Sequence, residues 1–279
     1  MSGTAAPTVF ILGLSSDIGR ELGTRYQRDG YRLYGTYRRA GSLAGLFDPE
    51  RIFHCDVAKP ESVRELTEAC RATGLRWDIF IGAVGAEEPI GPFFESDFDA
   101  WERSIQTNAL GVLRALHALF PLRAPARECA CVLFSGAGTN SAAVNYSAYC
   151  ASKIFLIKMC ELLAAENPDL NAVIIGPGIV RTKIHEQTLR ARERSGANYE
   201  KVMMFLRSDD PGVSHDDIYA CVNWCVRAGR KVAGGRNFSL VHDAWREGGE
   251  TLRLALLADE EMYKLRRFGN SRPVEAPGA

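Results

Sequence analysis

The chain has 279 residues, 46% of them hydrophobic and 24% charged, a composition ordinary for a soluble globular protein and a length that buries roughly three quarters of the unfolded surface, as one large domain or two small ones. Lysine plus arginine equals aspartate plus glutamate at 34 each, so no global field recruits nucleic acid or an anionic membrane, and a small molecule is the expected partner. The eight cysteines are scattered through apolar segments (Cys131, Cys150, Cys160) with no Cys-x-x-Cys pair, which points to buried reduced thiols and to no metal site.

At the N-terminus, MSGTAAPTVFILGLSS carries no basic leader and only a short apolar run, so neither a secretion signal nor a membrane span is expected, and cytoplasmic location follows by elimination. Short, nearly continuous apolar runs predict strands over 9–12, 32–37, 52–55, 79–83, 131–134 and 172–175, each suited to burial on both faces of a parallel sheet. Helical spacing lies between them. Val63, Leu66 and Cys70 mark one helix, and Trp101, Ile105, Ala109, Val112, Leu113 and Leu116 mark a longer one ended by Pro121. A last helix over 214–227 and a strand over 238–241 follow, so the expected fold is α/β, a Rossmann-like doubly wound parallel sheet of about seven strands with helices on both faces. The whole chain reads as a single domain: 1–145 mainly for a cofactor, 146–245 for catalysis and substrate cover, and 246–279 as a helical tail.

The first strand runs directly into VFILGLSSDIGRELGTRY. Gly13 and Gly19 let the backbone turn tightly and approach a pyrophosphate, and the following helix offers it unpaired N–H groups and a positive dipole end. Ser15, Ser16, Asp17 and Ile18 complete this loop. After the second strand come Arg38 and Arg39 with no acid close by; arginine accommodates the 2′-phosphate of NADP, whereas an acid there would favour NAD. The alternative is that both arginines simply solvate a strand end.

If the segment over about 146–166 is a helix, Tyr149 and Lys153 are spaced i, i+4 and share one face. With nine tyrosines in the chain, such a pair arises by chance about 0.2 times. A fixed cation beside a phenol of ordinary pKa about 10 lowers that value, by roughly 1 to 3, toward the range useful for general acid–base catalysis.

From the glycine loop onward the chain resembles the short-chain dehydrogenase/reductase family in its single-domain branch. The family loop Gly-x-x-x-Gly-x-Gly appears here with Asp17 in place of the middle glycine, and Asp17 is expected to turn away and cap the helix. Asp56-Val57 resembles the family's adenine-contacting pair. Gly82-Ala83-Val84-Gly85 stands where the family has Asn-Asn-Ala-Gly, keeping Gly85 as a cofactor contact. Read from its apolar surroundings, Asn108 is a satisfied core amide; the resemblance implies that it holds a water in a proton relay, within the same Asn-x-x-Gly setting. It also implies a serine thirteen residues before the tyrosine. Counting back reaches Gly136, and a one-residue loop shift would bring Ser135 to that place, with Ser141 or no serine as alternatives. Pro177, Gly178, Val180 and Thr182 match the family's Pro-Gly-x-Val-x-Thr, which implies a hold on the nicotinamide carboxamide, as Lys153 implies one on its ribose.

Beyond Thr182, the polar segment 183–210 is expected to be helical and to cover the substrate. Arg190, Arg192, Arg194 and Arg207 form either a clamp for an anionic group or a solvated face, and His185 is expected at the surface, with a part in substrate binding as the alternative. Leu252, Leu256, Leu257, Met262 and Leu265 give the tail an apolar stripe that packs on its own domain or on a neighbouring subunit. The resemblance implies a homodimer or homotetramer and an oxidoreductase that prefers NADP(H), with NAD(H) as the alternative, acting between a carbonyl and a secondary alcohol. Tyr149 would be its general acid–base, assisted by Lys153, Ser135 and Asn108. The alternative is an NADP-binding protein of the same fold with little catalysis, acting as a redox sensor or assembly partner.

Overall fold

The computed structural model describes residues 6–125, 127–246 and 248–267. Seven parallel strands, β1 (Thr8–Leu12), β2 (Arg32–Tyr37), β3 (Ile52–His54), β4 (Ile79–Gly82), β5 (Cys129–Phe134), β6 (Leu170–Gly176) and β7 (Asn237–Ser239), form one sheet in the order β3-β2-β1-β4-β5-β6-β7. Every residue of β1, β4 and β5 is buried, as continuous apolar runs require when both faces are covered. Strands β5 and β6 begin about two residues before their most apolar stretch, because the ladder already pairs Cys129 with Leu170 and Ala130 with Asn171.

Alternation along the strands divides the core in two. Phe10, Leu12, Phe80, Cys131, Leu133, Ala172 and Ile174 face α2 (Pro60–Ala72), α4 (Gly111–Leu119) and α5 (Ser147–Glu166). Val9, Ile11, Ile81, Val132, Val173 and Ile175 face α1 (Asp17–Arg28) and α8 (His215–Ala228) on the other side. Helix α3 (Phe98–Ile105) leads into α4 through a π turn at Gln106–Leu110, and Pro121 falls in the 3-10 turn Phe120–Leu122 that ends the helix. All eight cysteines are free; seven are buried and Cys150 is partly so.

The polar segment after β6 folds as α6 (His185–Ala191) and α7 (Ala197–Arg207), and the chain continues through α9 (Arg230–Ala233) and α10 (Gly249–Ala258). Leu252 and Leu256 are buried while Leu257 and Leu265 remain exposed, so the described part of the tail packs on its own sheet. Buried Arg236 fastens it, donating to the carbonyls of Leu256 at 2.6 Å, Asp259 at 3.1 Å and also Met262. The end of the tail, 268–279, lies outside the described residues. Among those described, no helix is long and apolar enough to cross a membrane.

Because β1 leads to β2 and β3 on one side and the later strands continue from β4 on the other, a crevice opens at the C-terminal ends of β1 and β4. Open parallel sheets bind their ligands at such a switch point. Every segment singled out in the sequence follows the C-terminal end of one of these strands or lies on α5 or the π turn.

Candidate active site

Gly13 takes φ +83°, and its N–H donates to Thr36 Oγ1 at 2.8 Å. A Cβ there would stand 3.0 Å from Val84 Cγ2 and 3.2 Å from the Ala83 carbonyl, and one on Gly19 would press against Ser16 Oγ at 2.8 Å and, closer still, the Gly13 carbonyl. These glycines therefore pack strand, loop and helix together and leave a cradle that side chains would fill. Ser15 N–H donates to Thr36 O at 3.3 Å. Ile18 packs, partly buried, on the α1 side of the core.

Contrary to expectation, Asp17 does not cap α1. Ser16 does, accepting the Gly19 N–H at 3.0 Å, because Ser16 keeps the extended backbone of a cap while Asp17 is already the first helical residue. The Asp17 carboxylate turns across the crevice instead, accepting the Lys183 N–H at 2.7 Å and lying 3.3 Å from Lys183 Nζ.

Arg38 and Arg39 are exposed immediately past β2. Asp56 accepts the Ala58 N–H at 3.2 Å and donates its own N–H to Ser62 Oγ at 3.0 Å, a local turn that presents the start of α2. Val57 is buried, and its carbonyl lies so near Gly111 that a Cβ on that glycine would sit 2.5 Å away. The Gly of the Asn-x-x-Gly setting thus serves a backbone contact between the third-strand loop and α4. Gly85 is exposed, and a Cβ on it would stand 3.8 Å from Lys153 Nζ. Gly178 has φ +78°, Pro177 and Val180 are buried, and Thr182 lines a cleft of about 450 Å³ together with Asp17, Arg20 and Lys183. The cradle at Gly13 and Gly19, the N-terminal end of α1 and the exposed arginines fit a dinucleotide phosphate.

Tyr149 and Lys153 are both buried on α5, with Lys153 Nζ 5.5 Å from the centre of the Tyr149 ring. That ammonium donates to the Phe134 carbonyl at 3.0 Å. Burial brings it down to about 8. Burial, followed by the nearby Glu87 carboxyl, raises the Tyr149 phenol above its ordinary range. This direction is opposite to the one expected from a neighbouring lysine: loss of hydration disfavours the phenolate, and the Glu87 carboxyl adds to that effect. Tyr149 stands as a protonated phenol.

Asn108 occupies the π turn with its amide fully used: Oδ1 accepts the Ala86 N–H at 2.8 Å, and Nδ2 donates to the Ala86 carbonyl at 2.7 Å and to Ser104 Oγ at 3.1 Å. It is a satisfied core amide, and it also fixes the loop leaving β4 beside the tyrosine and lysine. Ser135 does not complete this group. Its hydroxyl donates to Asn237 Oδ1 at 3.3 Å, and its N–H continues the β5 ladder to Ile175 O at 3.0 Å. The strand register thus carries through residue 135. The residue beside the phenol is Gly136, on which a Cβ would lie 2.6 Å from Tyr149 Cζ and closer still to its oxygen.

The sequence reading missed three groups that converge here, Glu87, Tyr146 and Thr188. Thr188 on α6 donates to Glu87 Oε2 at 3.0 Å and bonds the Tyr146 hydroxyl at 2.7 Å. Burial pushes the Glu87 carboxyl up to about 7, against the pull of Thr188. The available signal was an acid two residues beyond Gly85, where the chain leaves β4. His185 is buried rather than at the surface, its Nε2 paired with the Val180 carbonyl at 2.8 Å and its ring edge-on to Phe205. Arg194 donates to the Ile90 carbonyl at 3.1 Å and Arg190 to the Glu186 carbonyl at 3.2 Å, so these two arginines brace the segment, whereas Arg207 lies exposed at the end of α7.

A family model described as enoyl-(acyl carrier protein) reductase matches residues 13–210. The chain is 26% identical over 187 residues to the NADPH-dependent pterin aldehyde reductase of Arabidopsis thaliana, covering 64% of this chain and 77% of that protein. To the D-threitol dehydrogenase of Mycolicibacterium smegmatis it is 27% identical over 183 residues, covering 62% and 70%. A solved short chain dehydrogenase/reductase from Saccharomyces cerevisiae superposes with TM-score 0.73 at 20% identity over 86% of this chain and 97% of its own. A short chain dehydrogenase from Shigella flexneri, complexed with NADP, gives 0.69 at 22% over 84% and 96%.

Proposed function

This chain belongs to the short-chain dehydrogenase/reductase family, and from that premise we propose that it is an NADP(H)-dependent oxidoreductase interconverting a carbonyl and a secondary alcohol on a small molecule. The observation that carries the reading is the buried Tyr149 phenol against Gly136, with Lys153 Nζ near its ring and Asn108 locking the adjacent loop. A protein that only bound a nucleotide would have no physical use for a buried phenol at this point.

Gly13, Ser15, Ser16, Ile18 and Gly19 would hold the pyrophosphate, Asp56 and Val57 the adenine, and Gly85, Pro177, Gly178, Val180 and Thr182 the nicotinamide side. The preference for NADP(H) over NAD(H) rests on Arg38 and Arg39, exposed past β2 where a 2′-phosphate would lie. The names of the Arabidopsis relative and of the Shigella complex agree with that preference. When bound, the cofactor supplies or accepts the hydride.

In the reducing direction Tyr149, kept protonated by burial, gives its proton to the substrate oxygen as that oxygen becomes an alkoxide. The Lys153 ammonium stabilises the phenolate left behind and would hold the nicotinamide ribose. Asn108 keeps the loop at Ala86 in place, so that a proton can return through Lys153. Ser135 becomes a second donor to the substrate oxygen only by leaving Asn237. The same proposal takes the chain as one catalytic domain in the cytoplasm, forming a homodimer or homotetramer; Phe155 and Leu162, exposed on α5, support the pairing.

Fluorescence titration with NADPH and NADH, followed by a panel of carbonyl substrates, tests this reading. Tyr149→Phe is expected to abolish turnover and leave NADPH binding nearly intact; full activity in that variant would refute the mechanism. A second reading, a cofactor-binding protein with little catalysis, is favoured by one observation, the engagement of Ser135 with Asn237. Tight NADPH binding without turnover of any substrate would select it.

A further inference from the structure

Asp17 places a carboxylate at the N-terminal end of α1, where the proposed function puts a pyrophosphate. Its side chain is only 13% exposed, so water screens it poorly, and two anions at one helix end repel unless a cation stands between them. The chain supplies that cation from 166 residues away in sequence. Lys183 donates its backbone N–H to Asp17 Oδ2 at 2.7 Å and brings Nζ to 3.3 Å from Oδ1.

Other nearby cations are less suited. Arg20 lies 3.8 Å from the same carboxylate, one helical turn along α1. Arg181 is committed elsewhere: its guanidinium donates to the carbonyls of Phe205 at 2.9 Å, Ser208 at 2.7 Å and Asp210 at 2.7 Å, closing the end of α7. The Lys183 side chain is 66% exposed and borders the same cleft as Asp17 and Thr182. It therefore holds Asp17 from the solvent side, on the segment expected to carry the nicotinamide contacts.

We propose that Lys183 is a cofactor-positioning residue, which neutralises Asp17 and so makes a glycine loop with an acid in it acceptable to a pyrophosphate. The inference rests on the NADP(H) reading and adds a requirement to it: the lysine matters because the aspartate is there. Asp17 in return draws the Thr182–Lys183 backbone onto the loop that binds the phosphates.

The test is a double-mutant cycle on NADPH affinity, read by fluorescence without turnover, using the wild type, Lys183→Ala, Asp17→Asn and the double variant. Asp17→Asn keeps an oxygen for the Lys183 N–H. Lys183→Ala is expected to weaken NADPH binding about tenfold, equivalent to about 1.4 kcal/mol, and to have less than about a twofold effect once Asp17→Asn is present. Lys183→Arg is expected to restore the wild-type affinity, which a purely structural role of the lysine stem would not require. Thermal melts identify any variant that fails to fold, in which case Lys183→Gln takes the place of Lys183→Ala in the cycle. An equal loss in both backgrounds, or no loss in either, overturns the proposal. Wild-type protein that binds neither NADPH nor NADH would overturn the cofactor reading itself, and this inference with it.

Discussion

Replacing Gly136 by alanine places one methyl group against the group proposed to move the proton. The new Cβ would stand 2.6 Å from Tyr149 Cζ, whereas ordinary contact begins near 3.4 Å, so the phenol has to retreat by about 1 Å. The obstacle is the far end of a side chain rather than backbone, so Tyr149 can swing aside at a stability cost of about 1–3 kcal/mol. Catalysis is less tolerant: a misplacement of about 1 Å in a reacting group can cost about a hundredfold. Gly136→Ala should therefore lower kcat/KM about a hundredfold on any carbonyl substrate the wild type reduces, lower Tm by only a few degrees, and leave NADPH fluorescence titration unchanged. Steady-state rates, a thermal melt and the titration on one preparation separate the three effects. Wild-type kcat/KM in a folded Gly136→Ala variant would refute the placement of the acid at the Tyr149 hydroxyl.

Two further predictions concern charge. The Glu87 carboxyl is pushed up from 4.5 to about 7, so between those values the folded protein keeps a proton that the unfolded chain has released, and stability falls as pH rises through that window. Glu87→Gln should remove up to about 3 kcal/mol of this dependence, checked by urea unfolding at about pH 5 and about pH 8; an unchanged dependence would show that Glu87 is not its source. Replacing Arg38 and Arg39 together by alanine should weaken NADPH binding by about 10- to 100-fold, the worth of a charge-assisted contact, while NADH binding changes less than about twofold; equal losses for both would remove the 2′-phosphate assignment.

The central strands β1, β4 and β5 were legible because each is a run of residues with both faces buried, and such a run needs no partner to be recognised. Their ends were less so: the ladder, not hydrophobicity, sets where β5 and β6 begin. Helix α5 was a premise of the Tyr149 and Lys153 spacing, and it spans Ser147–Glu166, whereas the π turn carrying Asn108 was not foreseen. A π turn shifts the phase of the helical period only once, and the few apolar positions from Trp101 to Leu116 do not resolve that slip. The same limit applied to Ser135, where counting residues to a tyrosine says nothing about which side of a strand end a hydroxyl takes.

The sequence alone determined the order of elements and the doubly wound sheet, because these follow from local patterns and from short connections between neighbours; the family resemblance, and no local pattern, pointed to groups at its C-terminal edge, and it left out Glu87 and Thr188. Tertiary structure decided what those groups do to one another. Burial raised the Tyr149 phenol instead of lowering it, register turned Ser135 to Asn237, and a contact across 166 residues joined Asp17 to Lys183. Each outcome depends on distance and hydration in three dimensions, which no spacing along a single chain encodes.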